Sequence, residues 1–378
     1  MTAASAPGAR RANGSAWSQF TALQLGQAVA LAVGAAAVIV ASRVLGPDVY
    51  GAYTLFVAVA QYAVILTVSW TTASMVRFGA DEMTTSGRLT NAFWGRLAAM
   101  VPSIGLIVVA LFAARRDVAA AMGIDASMAA IFAMIVALAL ADHSDSTLQA
   151  AGLWKRFAWL GAIEKAVFVA GIGFAGYALG VRSLRAAIAV ALAAQAARIT
   201  VAAVGIARAR VVAAPAVHGP TLQRLVAYSW PHLFTFTVGY FSAFVEPFII
   251  KSYLAVRDVG IYQVAFQISL FCGALLSPLS ALIFPAVTQL RVQRRREVVV
   301  TMLARLVPQF VFVVTMAAIV GMGLARALFV PVFGPQFAAA LRPLLILLGA
   351  LSFQAVVATY SPILAAYDLT KQSAALNT

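Results

Sequence analysis

The fold of this chain is constrained above all by the spacing of its apolar runs. Ten such runs, at 20–42, 51–74, 93–114, 127–150, 158–180, 184–207, 230–254, 260–284, 305–326 and 341–366, are separated by short polar segments. A helix rises 1.5 Å per residue, so an apolar run of about 20 residues crosses roughly 30 Å of hydrocarbon. The chain is 63% hydrophobic and only 10% charged, with too few charges to cover a soluble protein of 378 residues. The expected class is an all-α polytopic membrane protein of about ten spans.

The formal net charge of +15 raises the question of nucleic acid. The basic residues are spread through the loops between spans, with no contiguous basic face and no interleaved stacking aromatics, so that partner is excluded. They read instead as topology signals, because short cytoplasmic loops carry an excess of Lys and Arg. The richer side holds Arg10, Arg11, Arg77, Arg88, Arg96, Lys155, Arg156, Lys165, Arg208, Arg210, Arg224 and the dense Arg291–Arg296 stretch. That side is expected to be cytoplasmic, with both termini on it and the protein in the inner (cytoplasmic) membrane. Residues 1–19, rich in Ala, Ser and Gly, read as a cytoplasmic tail before an uncleaved first helix. Cys272 is the single cysteine, which rules out an intrachain disulfide and a cysteine-based metal site.

A doublet organises the spans. Arg43-Val-Leu-Gly46-Pro47-Asp-Val-Tyr50-Gly51-Ala-Tyr53 follows the first run, and a weaker echo, Arg257-Asp-Val-Gly260-Ile-Tyr262, follows the seventh. Six spans separate the copies, so both halves run in the same direction, as parallel repeats about an axis along the membrane normal. The expected organisation is a tail at 1–19, a six-helix bundle at 20–207, a cytoplasmic linker at 208–229 and a four-helix C-terminal bundle at 230–378. The second half is two spans short of the first, and truncation is the expectation that follows.

Charges inside spans are costly and mark function by default. Glu246 lies deep in the seventh run with Pro247 after it, a site for a helix kink. It is either a cavity carboxylate that binds substrate or cycles a proton, or a structural partner of Lys251. Asp142 and Asp145 share one face of the fourth run with Gln149, while His143 points elsewhere. They either bind ions or hydrate the cavity. Arg198 in the sixth run lies roughly 14 Å from the span end. It is a candidate partner for Asp142 or Asp145, or for an anionic head group. Arg77 is a candidate phosphate contact or a plain topology anchor, and Gln24 and Gln27 are candidate cavity hydrogen bonders. No metal site is expected, because Asp142-His143-x-Asp145 has no second His or Cys cluster to complete it. No cofactor is expected either. Nucleophile elbows, P-loops and His-Glu-x-x-His are absent, so transport would draw on a gradient.

The turn Arg43-x-Leu-Gly-Pro-x-x-Tyr-Gly-x-Tyr53 resembles the signature after the first helix of the polysaccharide-transporter family. These are Wzx-type lipid-linked oligosaccharide flippases of the multidrug/oligosaccharidyl-lipid/polysaccharide exporter superfamily. Met75-Val-Arg77, the acid Glu246, Val259-Gly260-Ile-Tyr262, Phe284-Pro285 and Phe333-Gly-Pro-Gln-Phe337 match in order, so the resemblance covers about residues 20–370. It implies 12 to 14 spans in two bundles. The implied activity is transfer of an undecaprenyl-pyrophosphate-linked oligosaccharide to the outer leaflet for surface or exopolysaccharide assembly. A glycan polymerase and a chain-length regulator are the implied partners besides the substrate and the bilayer. A cationic cavity for the pyrophosphate would suit Arg198 and Arg77. The rivals are a drug/cation antiporter or lipid II flippase of the same superfamily, and a membrane-embedded glycan polymerase or acyltransferase. The last would need a long extracytoplasmic loop, and every outer loop here is short.

Overall fold

The computed structural model describes residues 7–123, 127–214, 219–276, 287–291 and 295–367, together with Ile283 and Gln293. The Phe284-Pro285 match lies outside these residues. Thirteen helices are named: α1 (Pro7–Thr67), α2 (Thr72–Ser86), α3 (Asn91–Ala113), α4 (Arg115–Met122), α5 (Met128–Ala150), α6 (Trp154–Gly173), α7 (Leu184–Ala209), α8 (Gly219–Phe244), α9 (Glu246–Tyr253), α10 (Val256–Ala274), α11 (Arg296–Thr301), α12 (Val307–Phe333) and α13 (Leu341–Ala366). Among the described residues there is no strand, only an isolated bridge between Leu89 and Val212. The all-α class holds.

The first two apolar runs are the two arms of α1. The polar stretch between them is helical except at Gly46, where φ is 71° and ψ is 170°. That backbone region is open essentially to glycine alone. Pro47 then restarts the helix, since its fixed φ suits a first helical position and its missing N–H is not needed there. The expected polar loop is therefore a one-residue break. Gly334 (φ 92°) before Pro335 makes the same device between α12 and the 3-10 turn that leads into α13.

Seven helical stretches among the described residues are long and apolar enough to cross a membrane: Thr21–Thr67, which holds both arms of α1, Asn91–Ala113, Met128–Ala150, Trp154–Ala178, Leu184–Ala209, Glu297–Phe333 and Pro335–Ser361. They carry eight of the ten expected spans. The seventh run is broken instead, α8 ending at Phe244 and α9 starting at Glu246, where Pro247 sits in the first turn. A proline there removes a backbone donor and ends the preceding helix.

Residues up to Gly260 form one compact unit and those from Ile261 onward a second. In the first, α1 packs along α6, α5 and α7 pack together, and α8 packs against α1 and α3. Its core is centred on Phe56, Val64, Met100, Met134 and Ile135. Within this unit the two copies of the doublet meet. A Cβ added at Gly51 would lie 2.0 Å from the carbonyl oxygen of Val256, and one added at Gly260 would lie 2.1 Å from that of Pro47. Each copy keeps its glycine because the other's backbone occupies the space of a side chain.

One membrane end of this unit is tied by backbone bonds. Leu89 N–H donates to Val211 O at 2.6 Å, Ala213 N–H to Leu89 O at 3.3 Å and Trp94 Nε1 to Ala213 O at 3.1 Å. The α2–α3 connection and the segment after α7 therefore lie on the same side. Glu82 caps α3 there, its carboxylate accepting from the N–H groups of Thr90, Asn91 and Ala92 at 2.9–3.0 Å. In the second unit α12 packs on α13, with Thr315 Oγ1 bonded to Ser352 Oγ at 3.0 Å.

Candidate functional site

The charges buried among α3, α5, α6 and α7 form two clusters on one face of α5. In the first, Arg96 of α3 is only 1% exposed. Its Nη2 lies 2.5 Å from Asp142 Oδ2. Its Nε donates to Thr71 Oγ1 at 2.8 Å and Nη2 to Thr72 Oγ1 at 2.9 Å. Nη1 donates to Ser146 Oγ and, at 3.4 Å, to Asp142 O. Every nitrogen of the guanidinium is engaged, which a buried charge requires if it is not to cost several kcal/mol. The local chain supplies these acceptors because α1 and α2 are joined by the short 3-10 turn Ser69–Thr71. This cluster is a fastener, binding that turn to α3 and α5.

The second cluster is differently built. Arg198 of α7 pairs with Asp145 through Nη2 and with Glu164 of α6 through Nη1. Gln195, one turn before Arg198, donates from Nε2 to the other Glu164 oxygen at 2.8 Å. The three charged side chains retain 15–22% exposure. Unlike Arg96, this group is left incomplete: Asp145 Oδ1, Gln195 Oε1 and Arg198 Nε are buried without a hydrogen-bond partner. Lys165, next to Glu164 on α6, adds a second cation beside the two carboxylates that face the Arg198 guanidinium. Buried polar atoms without partners mark a place for water or an ion.

Of the residues singled out by sequence, Arg198 meets Asp145, while Asp142 is taken by Arg96. Glu246 is half-buried in the first turn of α9, whereas the network is built on α3, α5, α6 and α7. Next to it Phe248 packs against the core of the first unit. Lys251 lies over Gly123, where a Cβ would come within 2.3 Å of its Cε. Arg77 is exposed and stacks over Tyr228 at 4.8 Å, also outside the network. Gln24 is half-buried and Gln27 exposed on the first arm of α1. His143 is buried against Phe93, ring centroids 4.5 Å apart, away from the carboxylates as its position on the helix predicts. No group of three or more metal-ligating side chains occurs among the described residues.

Two members, Arg96 and Glu164, are not among the candidate residues that sequence singles out. Arg96 and Lys165 were expected among the loop charges, yet they lie in α3 and α6. Glu164 was passed over beside Lys165. One signal was available: residue 96 stands in the first turns of a long apolar run, where a charge needs a partner.

The sequence matches the family described as polysaccharide biosynthesis protein over residues 16–291. Among curated proteins, none matches. The fold resembles an inward-facing multidrug resistance MATE family transporter of the MOP superfamily, with TM-score 0.69 and 14% identity over 92% of this chain and 83% of that one. It also resembles the lipid II flippase MurJ in an inward closed conformation, with TM-score 0.70 and 12% identity over 93% of this chain and 77% of the other. A MATE transporter in complex with MaL6 matches at TM-score 0.62, with 14% identity over 95% of this chain and 85% of its own.

Proposed function

The chain belongs to the polysaccharide biosynthesis protein family, and from that premise we propose that it is a flippase for a lipid-linked oligosaccharide. Membership and the membrane-spanning helices make it a multi-pass membrane protein of a transporter fold. Its solved neighbours are transporters and a flippase, not enzymes, which leaves the polymerase or acyltransferase alternative without support.

The observation that carries the proposal is the incomplete cluster of Arg198, Asp145 and Glu164 inside the membrane-spanning part. A helix bundle that served only as a scaffold would gain nothing from three partly satisfied charges in hydrocarbon. In this reading the glycan head crosses the membrane along a hydrated path lined by the polar groups of the helices, and the lipid tail stays in the bilayer. Alternating access is the mode this reading implies, with the α8–α9 break as a point where the helix can bend. Glu246 stands at that point and Arg77 at the cytoplasmic mouth. The termini face the cytoplasm, and a polymerase working with a chain-length regulator consumes the product. The unpartnered polar atoms of the second cluster favour coupling to a proton or cation that enters it.

The same incomplete cluster fits one rival, a cation-exchanging drug antiporter. Deleting the gene separates the two. Loss of surface polysaccharide, with lipid-linked repeat units held on the cytoplasmic side, is the expected result. Normal polysaccharide with new sensitivity to cationic drugs would overturn the flippase and favour the antiporter.

A further inference from the structure

A groove of about 520 Å³ runs between α6 and α7 on the outside of the first unit. Its walls are apolar and open: Trp159, Val201 and Val204 are 42%, 44% and 43% exposed. At one end stand Lys155 and Arg156, from the start of α6, and Arg208, from the end of α7, all exposed. Arg156 crosses the groove to donate through Nη1 to Gly205 O, which fixes one cation over its mouth. No carboxylate lines the groove, and neither Lys155, Arg156 nor Arg208 forms an ion pair among the described residues. The cationic end lies on the side where the α2–α3 connection is tied to the segment after α7, the side that the loop charges assign to the cytoplasm.

We propose that this groove is a binding site for an anionic phospholipid of the cytoplasmic leaflet. The head-group phosphate lies among Lys155, Arg156 and Arg208, and one acyl chain lies along Val201 and Val204. Trp159 marks the level where head group gives way to hydrocarbon, the depth at which indole rings are enriched. Basic pockets between membrane helices on the cytoplasmic side suit such head groups, each Lys or Arg adding about fivefold to the preference for an anionic lipid. The site is distinct from the Arg198 cluster and does not depend on the transported substrate. By spanning α6 and α7, the lipid holds together two helices that both supply that cluster.

Native mass spectrometry of the full chain, delipidated and then mixed with phosphatidylglycerol or phosphatidylcholine of identical acyl chains, tests the proposal. Wild type should retain phosphatidylglycerol preferentially. Lys155→Gln and Arg208→Gln, which leave the Arg156–Gly205 bond in place, should each lower that preference about fivefold. Arg88→Gln, an exposed cation outside the groove, should leave it unchanged. An unchanged thermal unfolding midpoint in detergent shows that the variants are folded. Equal retention of both lipids by wild type, or full preference in both groove variants, would overturn the proposal. So would a groove-dependent preference for undecaprenyl pyrophosphate over phosphatidylglycerol, which would make this a substrate site.

Discussion

At the scale of single residues, two arginines buried among the same helices are bonded in opposite ways. Arg96 is fully bonded and closed to solvent, whereas Arg198 is short of partners and still partly wet. Arg96→Met should therefore act on stability. It strands the Asp142 carboxylate and costs about 3 kcal/mol, read as a lower unfolding midpoint in detergent. Arg198→Gln and Glu164→Gln should act on transport, cutting its rate about tenfold or more with little change in that midpoint. A variant of the second cluster that unfolds early yet transports normally would reverse these assignments. The sequence made Asp142 and Asp145 legible because i, i+3 spacing puts both on one face of α5. It could not choose which carboxylate Arg198 takes, since that depends on how α3, α6 and α7 approach α5. Glu164 escaped notice for the same reason: its role exists only where α6 meets α7.

Helices and turns were more openly written. The long apolar runs gave the membrane helices, and Gly-Pro marked two of the breaks that require positive φ, at Gly46 and Gly334. The seventh run was legible as a kinked helix because Pro247 follows Glu246, and the structure divides it there into α8 and α9. The doublet itself proved to be a contact. Gly51 and Gly260 each face the other copy's backbone, an approach that composition and periodicity cannot reveal. Gly51→Val places methyl groups where Val256 O lies and should destabilise the protein by about 1–3 kcal/mol through overpacking. Lower yield of monodisperse protein, with wild-type yield from the nearby Asp48→Asn, is the expected pattern. Equal yields would mean that the two turns do not need this close approach.

For the whole molecule, the positive-inside argument predicts a topology that chemistry can read. With Cys272 replaced by Ser, a cysteine at Asp48 should react with a membrane-impermeant maleimide in intact cells, and one at Arg88 should react only after the membrane is opened. Moving Arg96 and Lys165 from the loops into α3 and α6 removes two charges from the cytoplasmic count, and the Arg291–Arg296 stretch still carries the bias. The general class and fold were legible because hydrocarbon leaves few solutions for so apolar a chain. The cargo was not, because it is selected by the few polar groups that face the transport path, and their arrangement is tertiary. The central claim is therefore best tested on the purified protein in proteoliposomes that carry a lipid-linked oligosaccharide in both leaflets. A membrane-impermeant glycosidase added outside should consume nearly all of the oligosaccharide when wild-type protein is present, about tenfold more slowly beyond the first half with Arg198→Gln, and only about half in empty vesicles. Consumption that stops at half with the wild-type protein as well would contradict the account.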